Sequence, residues 1–434
     1  MPFKVGRFLV CGALVSSLVA CGGDEEKKKT ASAVKPPVEE PAVVAEPVAP
    51  PIADDLDQGL LLGLSAFAVS PEGKVLYEPQ PAKMIMVARR GGQWEARELV
   101  DPESNVFHKA MAYTSPKGES GVLTLGGTAA VLKFWPDAIE PQILWSKDFG
   151  GKFSRMRDAE VGDLFGEGTA DIAVATHDQG VVAIVRPQAD GSYAVTEIDQ
   201  KPNTFVHEIE IGDMDGDGIL EVYATPSAPN KMDGKPQPGF VVRYVPSQKG
   251  TENEGPVVVA DLGNRHAKEI LVEDMDGDGV DELYVSVEEP TEIRRFVSGT
   301  DPLGGKVIAT LEDKLTRFLT AGDVDGDGKL EIVAAGYKSG LWLLRPGADL
   351  DDRWEKTSID RNSGGFEHAS VLTDLDGDGR DELYVASDTH GELRRYVWTD
   401  SGIAREVIYS LDVKGSALVW NVMPIPVENM PVEW

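Results

Sequence analysis

Cysteine is the scarcest reactive residue of this 434-residue chain, which contains only Cys11 and Cys21. The chain after residue 21 can therefore form no disulfide and offers no thiol nucleophile. It also lacks a Gly-x-Ser-x-Gly nucleophile motif and a glycine-rich phosphate loop. These absences leave no sequence motif for a cysteine enzyme, a serine hydrolase or a nucleotide-binding enzyme.

Positive charge is scarce as well. The chain has 42 lysines and arginines against 73 aspartates and glutamates, which gives a formal net charge of −31 at pH 7. A surface of this sign repels a phosphate backbone, so we expect no nucleic-acid partner. No segment after the first 20 residues is long and apolar enough to be predicted as a membrane span.

One acidic nine-residue motif, Asp-x-Asp-x-Asp-Gly-x-x-Glu, occurs four times. Carboxylates at positions 1, 3 and 5 converge on one point only if the backbone turns sharply, and the glycine at position 6 permits that turn. The carbonyl of position 7 and the acid of position 9 complete an all-oxygen set, which favours calcium over zinc or copper. The predicted ligands are Asp213, Asp215, Asp217, Ile219 and Glu221; Asp274, Asp276, Asp278, Val280 and Glu282; Asp323, Asp325, Asp327, Lys329 and Glu331; and Asp374, Asp376, Asp378, Arg380 and Glu382.

The motif differs from an EF-hand loop after position 9. An EF-hand needs a bidentate glutamate at position 12, followed by a helix. Here position 12 is apolar, and the acid at position 9 leads into β-branched and aromatic runs such as Glu-Leu-Tyr-Val. We therefore expect each loop to join two β-strands, and about four calcium ions to bind in all.

The motifs belong to a longer internal repeat, because they recur after 61, 49 and 51 residues. Four apolar segments of strand length surround every loop, a pattern that is typical of a propeller blade. An earlier copy has Phe165 at position 3, and we interpret it as a degenerate metal loop that keeps Asp163, Glu167 and Asp171. A still earlier copy near Tyr113 is interpreted as a bare turn.

Six repeats predict six blades, and the two ends of the chain supply a seventh. Gly415–Met423 has the pattern of a first strand without a loop after it, whereas Leu64–Val69, Lys83–Ala88 and Trp94–Val100 have the pattern of strands two to four. Pairing them closes the ring without an open sheet edge. The predicted fold is an all-β, seven-bladed β-propeller of four-stranded blades, closed by strands from both termini.

On these loops and this period, the chain resembles the FG-GAP-like (VCBS-type) repeats of bacterial surface proteins and the calcium-loop blades of integrin α-subunit propellers. The resemblance covers about residues 107 to 415 and is carried by the acidic loops. It implies calcium ligands at the same positions that the chemistry of the loops selects, beginning with Asp213, Asp215, Asp217 and Glu221.

The N-terminal part divides into segments of different composition. Residues 1–20 have a basic start, an apolar core and a final Leu-Val-Ala, which predicts a signal peptide. By resemblance to bacterial lipoproteins, cleavage precedes a lipidated Cys21, and the glycine at position 22 points to the outer membrane. Residues 21–55 are rich in Pro, Ala and Glu and predict a disordered tether, which leaves 56–434 for the propeller.

A basic or imidazole side chain lies six residues before each loop start. In a propeller the first strand lines the central channel, so these side chains are expected to form a ring at the mouth opposite the calcium loops. They are either structural ion-pair partners or a site for an anion or an acidic sugar. The ring residues are Arg157, His207, Lys268, Arg317 and His368.

The sequence favours a lipid-anchored, calcium-binding propeller that acts as an interaction module of the cell envelope, on the periplasmic or the cell-surface side of the outer membrane. Its expected partners are the membrane, through the lipid, and an envelope protein or a glycan. One alternative is a carbohydrate-active enzyme that uses the ring, by analogy with polysaccharide lyases on calcium-bearing propellers. The other is a structural scaffold of an envelope complex.

Overall fold

The computed structural model describes residues 47–127, 130–150, 154–176, 179–228, 238–248 and 255–432. Over these residues the chain forms 29 β-strands and two short 3-10 helices, Pro246–Gln248 and Val427–Asn429. Neither helix has the length or hydrophobicity of a membrane-spanning segment. The predicted signal peptide, Cys21 and most of the predicted tether lie outside the described residues.

Six blades follow one another along the chain, each an antiparallel sheet of four strands paired in chain order. They are flanked by four N-terminal strands and one C-terminal strand. The strands are β1 (Gln58–Val69), β2 (Val75–Pro79), β3 (Ala82–Arg90) and β4 (Gln93–Asp101); in blade one β5 (Phe107–Thr114), β6 (Ser120–Gly126), β7 (Ala130–Trp135) and β8 (Gln142–Lys147); in blade two β9 (Met156–Gly162), β10 (Asp171–Thr176), β11 (Val182–Pro187) and β12 (Tyr193–Asp199); in blade three β13 (Phe205–Gly212), β14 (Glu221–Ser227), β15 (Phe240–Tyr244) and β16 (Val257–Asp261); in blade four β17 (Ala267–Glu273), β18 (Glu282–Val287), β19 (Thr291–Phe296) and β20 (Lys306–Leu311); in blade five β21 (Thr316–Gly322), β22 (Glu331–Gly336), β23 (Leu341–Arg345) and β24 (Glu355–Asp360); in blade six β25 (His368–Thr373), β26 (Glu382–Ser387), β27 (Glu392–Thr399) and β28 (Gly402–Ser410); and last β29 (Ala417–Pro426).

The seventh blade, which we call the closing blade, combines both ends of the described chain. β29 pairs antiparallel with β1, β1 with β3, and β3 with β4, so the C-terminal strand is the first strand of this blade. β2 pairs only with the last residues of β1. The predicted seven-bladed propeller and its closure are confirmed. β1 begins before the predicted Leu64, because residues 59–63 pair with β29 on one side and with β3 on the other.

The apolar core lies between neighbouring blades. All six residues of the second strands β18, β22 and β26 are buried, because each sheet has another sheet against both faces. Tyr284 of blade four belongs to the same cluster as Leu319 and Trp342 of blade five. The fourth strand is the outermost and is more exposed, as in β24. A blade therefore buries its apolar side chains only when its neighbours are present.

The end of the predicted tether contacts the closing blade. Arg89 Nε donates to the carbonyl of Ala53 (2.8 Å), and the backbone N–H of Gly91 donates to the Asp55 carboxylate (2.9 Å). Ile52 packs against the core cluster of the closing blade and blade six. The contacts of the propeller thus extend somewhat beyond the predicted boundary at residue 56.

Deleting residues 414–434 tests the closure. The truncation removes β29 and exposes the paired edge of β1 with its apolar neighbours, so we expect the whole domain to melt at a lower temperature or to lose its cooperative transition. Circular dichroism measures the melting, and a peptide of residues 411–432 added in trans is expected to restore part of the lost stability. An unchanged transition in the truncated protein would show that β29 does not close the ring.

Candidate functional site

Each complete acidic motif connects the first and second strands of its blade. The motifs start directly after β13, β17, β21 and β25, and their glutamates are the first residues of β14, β18, β22 and β26. The loops therefore join two strands, as the sequence predicts. Because the motifs occupy the same connection in four successive blades, they lie on one face of the ring.

The first aspartate of each motif holds the backbone of its own loop. In blade five, Asp323 accepts from the backbone N–H groups of Gly326 (2.7 Å), Asp327 (3.1 Å) and Gly328 (2.7 Å). Gly328 has a φ of 81°, a conformation that favours glycine. This explains why position 6 of the motif is a glycine. The hydrogen bonds from the backbone N–H groups of positions 5 and 6 to the first aspartate recur in the loops that start at Asp213, Asp274 and Asp374.

Three carboxylates converge in every complete motif, with one oxygen from each lying within 4.8 Å of the other two. The clusters are Asp213, Asp215 and Glu221; Asp274, Asp276 and Asp278; Asp323, Asp325 and Glu331; and Asp374, Asp376 and Glu382. This all-oxygen donor set fits a hard cation such as calcium.

The remaining predicted carboxylates lie outside the clusters. Three of them are the acids of position 5 in blades three, five and six, whose side chains accept from the N–H of position 7 in the same loop: Asp217 from Ile219 (2.8 Å), Asp327 from Lys329 (2.9 Å) and Asp378 from Arg380 (2.9 Å). The fourth is Glu282 of blade four, which instead bonds to Arg295 (2.8 Å).

An arginine on the third strand contacts each cluster of blades three, five and six, a feature that the sequence analysis missed. Arg345 donates to Asp325 (2.8 Å) and to Glu331 (2.9 Å). The equivalent pairs are Arg243 with Asp215 (2.8 Å) and Glu221 (2.6 Å), and Arg395 with Asp376 (3.1 Å) and Glu382 (2.6 Å). The signal was present in the sequence, because every one of these repeats has an arginine in its third apolar segment.

The arginines occur in two registers that differ by two residues. Arg243 and Arg395 lie opposite a tyrosine of the second strand, Tyr223 and Tyr384, whereas Arg345 lies one residue beyond the last pair of β22 and β23. A shift of two residues keeps the side chain on the same face of the strand. The guanidinium therefore meets the loop in both registers.

The glutamate at position 9 is held from two sides. One oxygen of Glu382 pairs with Arg395, and the other accepts from the hydroxyl of Tyr384 (3.0 Å). Burial raises the pKa of Glu221 and of Glu382 to about 7, although the arginine beside each favours the ionised form. This glutamate links the loop to the third strand in addition to facing the cluster.

The degenerate loop of blade two keeps its shape without the full carboxylate set. Asp163 still accepts from the backbone N–H of Glu167 (2.9 Å). The guanidinium carbon of Arg186 lies 3.7 Å from the centroid of the Phe165 ring, and its Nε donates to Asp171 (3.1 Å). Arg186 thus bonds to the acid of position 9 and stacks on the ring that replaces the carboxylate of position 3.

Neighbouring loops are joined in pairs across blade boundaries. The carboxylate of Asp281 in blade four accepts from the backbone N–H of Asp213 in blade three (2.6 Å). Asp381 of blade six does the same for Asp323 of blade five (2.8 Å). The first aspartate of one loop is therefore positioned by the following blade.

Four of the five predicted ring residues line the central channel. Arg157, His207, Lys268 and Arg317 surround a cavity of about 260 Å³ together with other first-strand side chains. Each lies at a β-bulge, where the first strand has an extra residue relative to the second. A bulge re-aims the side chain it contains, which turns these four toward the channel.

His368 does not join them, which corrects that part of the predicted ring. β25 pairs with β26 in a regular register at this residue, without a bulge. His368 is buried, its Nδ1 is 2.8 Å from the carbonyl of Gly336 and its Nε2 is 2.7 Å from Ser363 Oγ. Burial lowers the pKa of His368 to about 4. Instead, bulges in β5 and β29 turn His108 and Trp420 toward the channel, where their rings are 4.9 Å apart.

The two arginines of the channel are bonded to carboxylates. Arg157 pairs with Glu208 (3.2 Å), and Arg317 pairs with Glu367. Among the described lining residues, acids outnumber lysines and arginines: Asp158, Glu160, Glu208, Glu210, Glu269 and Glu367 against Lys109, Arg157, Lys268 and Arg317. Burial raises the pKa of Glu208 to about 8. The channel is thus lined by acidic and basic side chains that bond to one another rather than by an excess of positive charge.

Comparison with known proteins agrees with this architecture. Residues 323–385, which span the loops of blades five and six, match the FG-GAP-like repeat family. A search of curated protein sequences finds no match.

The fold is similar to that of a periplasmic gluconolactonase from Pseudomonas aeruginosa, at 17% identity and a TM-score of 0.50, over 85% of this chain and 99% of the other. It is also similar to that of a protein from Bacteroides fragilis described as a candidate 6-phosphogluconolactonase, at 12% identity and a TM-score of 0.51, over 85% and 98%. Identities this low support the propeller fold alone.

Replacing Arg317 distinguishes a structural ion pair from a ligand contact. Arg317 is 5% and Glu367 2% exposed, so Arg317→Ala leaves a buried carboxylate without its partner, and we expect a loss of about 3 kcal/mol in the free energy of unfolding. The double variant Arg317→Met with Glu367→Gln removes both charges and is expected to recover most of that loss, as measured by urea denaturation. Wild-type stability of Arg317→Ala would contradict the structural role.

Proposed function

We propose that this protein is a calcium-binding propeller that is anchored to the outer membrane by lipid and serves as a binding module of the cell envelope. The observation that supports it best is the convergence of three carboxylates in each of four loops, with oxygens within 4.8 Å of one another. The first aspartate already fixes each loop backbone, so the backbone of the loop needs little rearrangement to receive an ion. The match of residues 323–385 to FG-GAP-like repeats adds support.

The aspartates at positions 1 and 3 are the core of each proposed site. The acids at positions 5 and 9 and the carbonyl at position 7 are available to complete an oxygen shell. A bound ion supplies positive charge where four carboxylates of one loop repel each other. Because Asp281 and Asp381 join loops across blade boundaries, each ion also strengthens contacts between blades.

The calcium proposal predicts about four ions per chain. Calorimetric titration of the soluble domain, residues 47–434, is expected to give that count, and melting is expected to rise with calcium and fall with a chelator. At ten times the dissociation constant each site contributes about 1.4 kcal/mol. Asp325→Asn is expected to remove one ion and leave the fold intact.

Asp349→Asn, on an exposed turn of the same blade that takes no part in the loop clusters, is the matched control. A count of zero or one ion in the wild-type domain would contradict the proposal.

The lipid anchor rests on the sequence around Cys21. A signal peptide that ends in Leu-Val-Ala-Cys would leave this cysteine at the new N terminus, where acyl chains attach. At about 0.8 kcal/mol per buried CH₂ group, two or three chains hold a protein firmly to a bilayer. The predicted tether, residues 21–55, would then connect the lipid to the propeller.

Cys21→Ser tests this anchor. The variant is expected to lose metabolic labelling with palmitate and to move from the membrane fraction to the soluble fraction of the cell. Cys11→Ser changes the other cysteine within the signal peptide and is expected to keep both properties. Membrane retention of Cys21→Ser would show that something other than acylation holds the protein.

Binding, rather than catalysis, is the role that the channel favours. Its arginines are engaged by carboxylates, so they are poorly placed to receive an acidic polysaccharide as a lyase would require. Loops on a rigid scaffold are common recognition surfaces, and calcium would order those of blades three to six. A screen of residues 47–434 against neutral and acidic glycans and envelope proteins, with and without calcium, tests this role. Cleavage of an acidic glycan would favour the enzyme instead.

A further inference from the structure

Three of the four loop clusters already contain a positive charge. In blades three, five and six, one guanidinium lies between the carboxylates of positions 3 and 9, at N···O distances of 2.6 to 3.1 Å. The same two carboxylates converge with the first aspartate in the clusters described above. A guanidinium and a calcium ion therefore need the same partners, and their charges repel each other.

Blade four is the internal exception. Arg295 pairs with Glu282 (2.8 Å), but its other nitrogen bonds to Asp351 of the next blade (2.7 Å) instead of to Asp276. In this loop alone, among those described, the three aspartates of positions 1, 3 and 5 converge without the glutamate. In this blade the arginine bonds to a carboxylate outside the loop, and the aspartate of position 3 lies close to the aspartates of positions 1 and 5 without a guanidinium of the described residues bonded to it.

Blade two shows the opposite extreme. Position 3 is Phe165, and Arg186 stacks on its ring while pairing with Glu167 (2.9 Å) and Asp171 (3.1 Å). These are positions 5 and 9 of the motif. The guanidinium thus neutralises the acids that remain, and the loop keeps the backbone bonds of Asp163 to its own N–H groups.

We propose that the third-strand arginine is a built-in cation that competes with calcium for the aspartate at position 3. Without calcium it neutralises that aspartate and holds the loop closed. When calcium binds, the arginine releases position 3 and keeps its contact with the glutamate of position 9. In blade two, Arg186 and Phe165 take the place of the ion permanently. The proposal rests on the calcium binding proposed above and assigns the residues that set its affinity.

This arrangement ranks the sites. Blade four is expected to bind calcium most tightly, because Asp351 draws Arg295 away from position 3. Blades three, five and six are expected to bind more weakly, because an ion must displace a guanidinium from Asp215, Asp325 or Asp376. Blade two is expected to bind none.

Arg345→Gln is the sharpest test, because Arg345 is 41% exposed and its loss leaves no cavity in the core. Calorimetric titration of residues 47–434, stripped of metal, is expected to give the wild-type number of calcium ions with one site about tenfold tighter, since a repelling charge is gone. Melting in the presence of chelator is expected to fall, because Asp325 and Glu331 lose their counter-charge. Arg353→Gln, an exposed arginine of the same blade, is the matched control.

Loss of the blade-five ion in Arg345→Gln would overturn the proposal, since the arginine would then be needed to position Glu331. A second variant tests blade two independently: Phe165→Asp with Arg186→Gln is expected to add one calcium ion, and an unchanged count would contradict the replacement of the ion there. Titration of the wild-type domain distinguishes a failure of the calcium proposal from a failure of the arginine proposal. No binding by the wild-type domain contradicts the calcium proposal itself, whereas normal wild-type binding with unshifted variants contradicts only the role of the arginine.

Discussion

The structure depends on one constraint: a blade has two apolar faces and cannot bury either of them alone. Second strands such as β18 are buried along their whole length, which requires a neighbouring sheet on each side. A row of blades would still expose the outer faces of its first and last members. Pairing β29 with β1 removes that defect, because the chain ends contribute strands to one sheet and every blade gains two neighbours.

The closed ring then dictates what the first strands can carry. They converge on a narrow channel, where an unpaired charge would lower the free energy of unfolding because it loses its contact with water. Bulges in six of the seven first strands turn polar or aromatic side chains into this space, and the arginines among them meet carboxylates from the next blade, as Arg157 meets Glu208. Such pairs contribute to the fit between blades as well as to the charge balance. The regular strand β25 shows the alternative, since His368 turns away and is buried uncharged.

The sequence was sufficient to predict the features that recur along the chain at intervals of 49 to 61 residues. The acidic loops, the four-stranded blades and the closing pair follow from the motif and its period, and the fold confirms them. The ring was predicted only in part, because a bulge shifts pairing by one residue without a residue type that marks it, and His368 lacks that bulge. The arginines were missed for a related reason. They lie in two registers and at different sequence distances from the loops, so only the folded sheet brings Arg243 and Arg345 to equivalent places.

The third-strand arginines neutralise part of the negative charge that the acidic loops concentrate. Each complete motif holds four or five carboxylates within nine residues, on a protein whose formal net charge is already −31. Mutual repulsion would open such loops unless positive charge is nearby, and the second strand could not begin with a buried glutamate without a counter-charge. An arginine on the adjacent strand supplies one unit of charge at all times, and a calcium ion bound as proposed would supply two. Under that proposal the arginines would keep the loops intact at low calcium concentration, and the bound ions would make the loops more rigid at high calcium concentration.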